Sequence, residues 1–314
     1  MGGLNPSAHW LNQKLRIMNV GAEEIEERIK QKVLLKDYTT FKIGGSAQYF
    51  LEVSRKEELL AGIEWAKNKK APFFVLGGGS NLLVSDKGFA GLVIKVSLNN
   101  CQFNGEKALA QAGVNLARLA KECCDKGLSG LEWSSGIQKI TVGGAIYGNA
   151  GAFGTNCADL IESVQALDTL DGAVKTFSFN DCQFDYKDSV FKKNKSLIIL
   201  TATFCLESKD SAEIEREMKR ILAYRNQNHP KESSAGSVFK NPFQAPSAGE
   251  LIEKCGLKGR QIGQAMISQK HANFIVNLGQ AKASDVLALI NLAKQKVKEQ
   301  FNIVLQEEIQ YLNL

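Results

Sequence analysis

The sequence predicts a soluble, mixed α/β protein of two or three subdomains, and three observations carry that reading. Of its 314 residues, 44% are hydrophobic and 23% charged, a globular balance in a chain long enough for more than one unit. Apolar runs that alternate with period two are interleaved with stretches of helical spacing. No apolar run reaches membrane-spanning length, and 5 prolines beside 28 glycines exclude a disordered or collagen-like composition.

The elements follow in order. Residues 1–35 read as a polar, helical N-terminal extension. Ala47-Gln48-Tyr49-Phe50-Leu51-Glu52-Val53 alternates as a strand does, and Leu60, Ile63 and Ala66 fall near helical spacing within 57–70. Phe73-Phe74-Val75-Leu76 and residues 91–96 are further strands, which makes 36–100 one mixed unit. A second unit, 101–225, holds a helix over 116–126, a glycine-rich stretch over 127–154 and strands over 164–167 and 197–202. The charged helix 211–225 closes it. In the third unit, 226–314, Ser247 and Glu250 form a capping box for a short helix that Gly256 ends. Residues 272–277 read as a strand, Ser284 as the cap of a long amphipathic helix reaching Gln300, and 303–305 as the approach to a terminal strand.

Charge and cysteine usage narrow the function. The 39 Lys+Arg against 33 Asp+Glu give a net charge of +6, but the basic residues are dispersed. A nucleic-acid partner calls for a clustered basic stripe, so none is expected; an anionic small molecule suits the charge as well. Cys101, Cys123, Cys124, Cys157, Cys182, Cys205 and Cys255 form no C-x-x-C pair, and the only histidines are His9, His229 and His271. No metal site is therefore expected, and the cysteines read as reduced cytosolic thiols. The N-terminus lacks a signal-peptide pattern and carries Pro6 where myristoylation wants Ser or Thr. A cytoplasmic protein with no membrane association is expected.

Two glycine clusters carry the chemistry. Gly77-Gly78-Gly79-Ser80-Asn81-Leu82 directly follows an apolar strand, so its backbone N–H groups can converge on an anion such as a diphosphate; a tight turn is the alternative. Neither G-x-x-x-x-G-K-[ST] nor strict G-x-G-x-x-G occurs, which argues against the P-loop and the ordinary Rossmann site. The second cluster runs from Gly127 to Gly154 and includes Trp133-Ser134-Ser135-Gly136 and Thr141-Val142-Gly143-Gly144. Close backbone approach to a large planar ligand explains such density, and a glycine-lined helix contact is the alternative.

At this point the sequence resembles the UDP-N-acetylenolpyruvoylglucosamine reductase family, from about Tyr38 to Tyr311. The resemblance rests on an ordered set of landmarks. These are Tyr38-Thr39-Thr40-Phe41-Lys42-Ile43-Gly44-Gly45, the Gly77–Leu82 loop, residues 136–154 and Tyr186-Lys187-Asp188-Ser189-Val190-Phe191. Ser234-Ala235-Gly236-Ser237-Val238-Phe239-Lys240-Asn241-Pro242, Lys270-His271-Ala272-Asn273-Phe274 and residues 305–309 complete them. The short link from Phe191 to Leu197 is similar to the subgroup without an extra tyrosine-bearing loop.

The resemblance implies an α+β fold: a two-part FAD-binding region of the vanillyl-alcohol-oxidase-like type, followed by a C-terminal substrate domain. It implies FAD on Gly77, Gly78, Gly79, Ser80, Asn81 and Leu82, and on Ser134, Ser135, Gly136, Thr141, Gly144, Asn149 and Gly151. NADPH would be the hydride donor, a sugar nucleotide the substrate, and a monomer the working form. Ser237 would protonate C2 of the enolpyruvyl group, while Lys187 and Glu308 would act near the substrate carboxylate. Tyr186, Arg225, Asn241 and His271 would meet the sugar nucleotide. Read as residues alone, the alternatives are a turn serine for Ser237, a solvated strand residue for Glu308, a favourable helix end for Arg225 and a surface or packed core residue for His271. Glu307 beside Glu308 leaves the register of that carboxylate open.

Two departures stand out against the family pattern. Lys187 occupies a place where the family usually has arginine, so a compact ammonium replaces a planar fork. Gly136-Ile137-Gln138-Lys139-Ile140 is one residue longer than the usual Gly-Ile-Pro-Gly loop. Gly148 also stands where a larger residue is common. Two other functions remain open on the sequence: a different flavin oxidoreductase, such as one using molecular oxygen, or a catalytically weak paralogue that binds FAD or a sugar nucleotide.

Overall fold

The structure, a computed structural model, describes residues 22–314. The expected helix over 1–21 lies outside the described residues. The first unit runs α1 (Ala22–Arg28), β1 (Lys30–Leu34), β2 (Ser46–Val53), α2 (Lys56–Asn68), β3 (Phe73–Leu76), β4 (Leu82–Val84) and β5 (Phe89–Val96). Its sheet has the order β1-β2-β5-β3, with β1 antiparallel to β2 and the other pairs parallel. Strand β1 corrects the helical reading of residues 30–34. It is an edge strand, mostly exposed and bearing Lys30 and Lys32, so it shows no apolar alternation; its backbone ladder to β2 defines it.

The second unit comprises β6 (Cys101–Asn104), β7 (Lys107–Gln111), α3 (Leu116–Asp125), β8 (Leu128–Ser129), α4 (Val142–Tyr147), β9 (Gly151–Ala152) and β10 (Thr155–Asn156). It continues through β11 (Ile161–Asp168), β12 (Val174–Ser178), α5 (Val190–Lys193), β13 (Leu197–Cys205), β14 (Glu207–Ser208) and α6 (Ser211–Asn228). An antiparallel sheet of order β12-β11-β13-β7-β6 forms its centre. Leu51, Ile63 and Ile94 of the first unit share one core with Leu119, Val164 and Phe204 of the second. Burial of that shared apolar surface fixes the two units against each other.

The third unit holds β15 (Ser233–Ser237), α7 (Ala248–Lys254), β16 (Gln261–Ile262), β17 (Ala265–Ile267), β18 (Phe274–Asn277), α8 (Ala283–Phe301) and β19 (Gln310–Leu312). Its sheet order is β15-β18-β17-β16. Half of the expected capping box of α7 is present: Ser247 Oγ accepts from Glu250 N at 3.2 Å, while the Glu250 carboxylate pairs with Lys254 at 2.8 Å instead of returning to the Ser247 backbone. The expected cap of α8 is absent. Ser284 is the second residue of that helix, and Asp86 of the first unit accepts from Ala283 N (2.8 Å) and Ser284 N (3.3 Å). A carboxylate at a helix N-terminus satisfies otherwise orphaned donors, and here it arrives from a distant part of the chain.

The chain end ties the units together. β19 lies parallel to β4, with Gln310 opposite Leu82 and Leu312 opposite Val84. Phe41, Ile43 and Leu83 of the first unit are buried in the core of the third. Residues 306–309 are thereby carried past the loop that follows β3. Among the described residues, no helix is long and apolar enough to cross a membrane.

Candidate active site

The two glycine clusters meet. A Cβ built on Gly77 would stand 2.9 Å from Thr141 Oγ1, and one on Gly78 would overlap the Lys139 carbonyl. Gly79 has φ +65°, and a side chain there would overlap the Tyr38 carbonyl; two residues further on, Thr40 donates its N–H to Gly79 O at 3.0 Å. The loop glycines therefore first admit the protein's own main chain. From below, Lys95 Nζ donates to Gly77 O at 2.7 Å, and burial holds the pKa of that ammonium below its usual value. Lys95 escaped the sequence reading; its only signal was a lysine inside the apolar strand 91–96.

The expected cofactor residues divide into two groups. Thr141 caps α4, its Oγ1 accepting from Gly144 N at 3.3 Å, and a Cβ on Gly144 would meet nothing nearer than that hydroxyl at 3.4 Å. The surface over Gly144 is thus open to a ligand. Ser134 instead donates to Leu131 O at 2.8 Å, and Asn149 accepts from Ala158 N and donates to Asp185 O, both at 3.0 Å. Those two side chains serve the fold. Gly151 packs against Thr155 and Asn156 across the β9–β10 hairpin, while Gly136 (φ +80°) lies against Leu222 and Arg225 of α6.

Whether the region fits a polar cofactor is tested by its unpaired groups. Among the described residues, four buried side-chain polar atoms lack a hydrogen-bond partner, and Trp133 Nε1, Ser135 Oγ and Arg225 Nε are three of them. They lie together, since Arg225 Nη2 donates to Trp133 O at 3.0 Å and Gly136 touches Arg225. Buried donors without partners are rare and costly, so this cluster fits a ligand rich in acceptors. Open glycine surface, an apposed helix start and unpaired donors together suit FAD.

The residues expected on the substrate side also converge. Lys187 Nζ stands 2.9 Å from Glu308 Oε1, and both side chains are 18% exposed. Glu308 N donates to Val238 O at 2.7 Å, which places it beside Ser237 at the end of β15. Asn81 Nδ2 donates to Glu308 O at 3.1 Å, and Gln310 N donates to Asn81 O at 2.9 Å, so the glycine loop holds the segment that leads into β19. Glu307 turns elsewhere, pairing with Lys294 at 2.8 Å, so of the two glutamates it is Glu308 that lies beside Lys187. Asn241 N donates to the Tyr186 hydroxyl at 3.2 Å, and Asn241 Oδ1 accepts from Ala248 N at 3.1 Å. Thr40 Oγ1 donates to Ser234 O at 2.7 Å and fastens β15 to the first unit.

Arg225 and His271 flank this centre rather than enter it by any contact to Lys187 or Glu308. The Arg225 guanidinium lies 5.4 Å from the Phe153 ring centroid, and burial lowers its pKa. His271 packs 4.9 Å from Phe274 and 5.6 Å from His229, ring centre to ring centre. Burial first, then the charge of Arg225 and the neighbouring His271, bring the pKa of His229 down to about 4. Among the described residues, no group of three His, Cys, Asp or Glu could hold a metal ion.

Comparison with known proteins fits this geometry. Residues 47–178 match the family model of an FAD binding domain, and residues 228–312 match that of the C-terminal domain of UDP-N-acetylenolpyruvoylglucosamine reductase. The UDP-N-acetylenolpyruvoylglucosamine reductase of Caldicellulosiruptor bescii is 42% identical, covering 88% of both chains. That of Bacillus subtilis strain 168 is 39% identical over 92% of this chain and 97% of its own. The crystal structure of UDP-N-acetylenolpyruvylglucosamine reductase from Thermus caldophilus superimposes with a TM-score of 0.77 at 39% identity, covering 90% of this chain and 98% of that one.

Proposed function

The chain belongs to the UDP-N-acetylenolpyruvoylglucosamine reductase family, and from that premise we propose how its residues share the reaction. It is an FAD-dependent oxidoreductase that reduces UDP-N-acetylglucosamine enolpyruvate to UDP-N-acetylmuramate with NADPH, a step in making cell-wall precursor. FAD, when bound, supplies the hydride chemistry between NADPH and C3 of the enolpyruvyl group.

The remaining work falls to the protein. Hydride arrival at C3 leaves negative charge shared between C2 and the substrate carboxylate, so that carboxylate needs a cation and C2 needs a proton. Lys187 supplies the cation, Ser237 Oγ the proton, and Glu308 fixes the ammonium at 2.9 Å. A serine hydroxyl is a weak acid, so its role requires that bound FAD and substrate keep bulk water away from it. Gly77–Leu82, Thr141, Gly144, Ser135 and the Gly136 turn hold FAD. Ser134, Asn149 and Gly151 support the backbone around it. Tyr186, Asn241 and His271 hold the sugar nucleotide, across the boundary between units 36–100, 101–225 and 226–314, while Arg225 joins Trp133 and Ser135 on the FAD side. The protein works as a monomer in the cytoplasm.

One observation carries this reading: a single segment, residues 307–310, leading into β19, joins the Lys187–Glu308 pair to Ser237 through Val238 and to the glycine loop through Asn81. The test is anaerobic. NADPH should bleach the yellow holoenzyme, and UDP-N-acetylglucosamine enolpyruvate should restore the colour with formation of UDP-N-acetylmuramate. A bleached enzyme that the enolpyruvyl substrate leaves colourless would refute the reading.

A further inference from the structure

Lys187 has an unusual backbone. Its φ is +57°, in the left-handed region that lysine seldom occupies. It sits with Tyr186 at the tip of a tight turn closed by reciprocal bonds, Asp185 N to Asp188 O and Asp188 N to Asp185 O, both 3.1 Å. In this conformation the Lys187 carbonyl points inward, where Lys192 Nζ donates to it at 2.9 Å. Lys192 is itself well anchored. It lies on α5, whose cap Ser189 is fully buried, accepts from Lys192 N at 3.3 Å and donates to Tyr147 O at 2.9 Å.

The Lys192 ammonium is hard to explain as surface charge. It is half-buried, and no carboxylate among the described residues lies within ion-pairing distance of it. The adjacent Lys193 is exposed and pairs with Asp188 at 3.4 Å. Burial lowers the pKa of Lys192, the nearby charges of Lys240 and Lys195 lower it further, and Asp188 and Glu308 oppose them. A half-buried, unpaired cation persists where its hydrogen bond does something for the surrounding structure.

We propose that Lys192 is a positioning residue for the reduction: its ammonium holds the Lys187 main chain in the left-handed turn that presents Lys187 Nζ to Glu308 and the substrate carboxylate. The inference rests on the placement of Lys187 and Glu308 at the reacting group proposed above. The hydrogen bond that Lys192 Nζ makes is to the Lys187 carbonyl, not to the Lys187 ammonium or the Glu308 carboxylate. Lys192 works through a charge-assisted bond to a carbonyl, so a neutral or apolar side chain should release the turn while leaving the glycine loop untouched.

The test compares variants of the FAD-loaded protein. Lys192→Met should bind UDP-N-acetylglucosamine enolpyruvate about tenfold more weakly by calorimetry on the oxidised enzyme, the scale of one lost charge-assisted hydrogen bond. Reoxidation by that substrate should slow by a similar factor. NADPH bleaching, FAD affinity and melting temperature should stay near wild type, and Lys192→Arg, which keeps donor and charge, should restore both losses. Lys192→Gln, read in the same way, replaces the methionine variant should that one fail to fold. Wild-type substrate binding in Lys192→Met, equal losses in both half-reactions, or no rescue by arginine would overturn the proposal. Lys187→Met separates the two claims: if it too behaves as wild type, the site reading falls; if it alone is impaired, only the role of Lys192 falls.

Discussion

Around Trp133, Ser135 and Arg225 the protein leaves buried donors without partners, whereas Lys187, Tyr186, Asn241 and Glu308 are already joined to one another or to nearby main chain. The first region gains its missing hydrogen bonds from a ligand, at about 1–3 kcal/mol for each buried group otherwise unsatisfied. The second is assembled by the fold, so its charges stand in place when the substrate arrives and need little reorganisation. The contrast separates residues that should govern FAD affinity from residues that should govern the second half-reaction.

Leaving aside the proton donor Ser237, the largest expected effect lies on the paired side. Glu308→Gln removes the carboxylate that fixes Lys187 and should slow reoxidation by the enolpyruvyl substrate about a hundredfold, the lower end of what a positioned acid–base group contributes. Rapid-mixing absorbance should show NADPH bleaching unchanged. If both half-reactions slowed together, the two regions would not be separable.

Next come the glycines. Gly78→Ala sets a methyl group onto the Lys139 carbonyl and should destabilise even the FAD-free protein by about 1–3 kcal/mol. A melting temperature several degrees lower by calorimetry is the readout. Gly144→Ala, facing open surface, should melt normally without FAD and bind FAD more weakly. Equal melting losses in the two variants would contradict the division between glycines that admit the chain and glycines that admit a ligand.

A smaller effect is expected at Ser135. Ser135→Ala removes an unpaired hydroxyl, so FAD affinity, followed by fluorescence titration, should fall about tenfold while the FAD-free protein melts no lower. The smallest concerns His229, which packs against Tyr224, His271 and Phe274. Its neutral form is favoured by the fold, since its pKa is depressed from 6.5 to about 4. That contribution to stability is complete above pH 6.5 and is lost as pH falls through 4. His229→Gln should flatten the decline in melting temperature over that window, and an unchanged profile would show that another group sets it.

Much of this architecture was legible in the sequence because it is written locally. The alternation in 47–53, the helical spacing in 57–70 and the Ser247–Glu250 cap each lie within a few residues of what they specify. Long-range partners left no local trace. Asp86 caps α8 from across the chain, β1 is an edge strand with no apolar signature, and the pairing of β19 with β4 brings Glu308 to the glycine loop. Within the site, motif order picked out Lys187, Ser237 and Glu308, which the fold brings near one another. It could not distinguish Ser135, whose hydroxyl is free, from Ser134, whose hydroxyl is bonded to Leu131. Nor could it show that Asn149 holds Ala158 and Asp185.

The most direct test is anaerobic rapid mixing of the Ser237→Ala holoenzyme, first with NADPH and then with UDP-N-acetylglucosamine enolpyruvate. Bleaching at the wild-type rate, followed by reoxidation slowed about a thousandfold, is the predicted result for loss of the proton donor to C2. Reoxidation as fast as in the wild type would contradict the account.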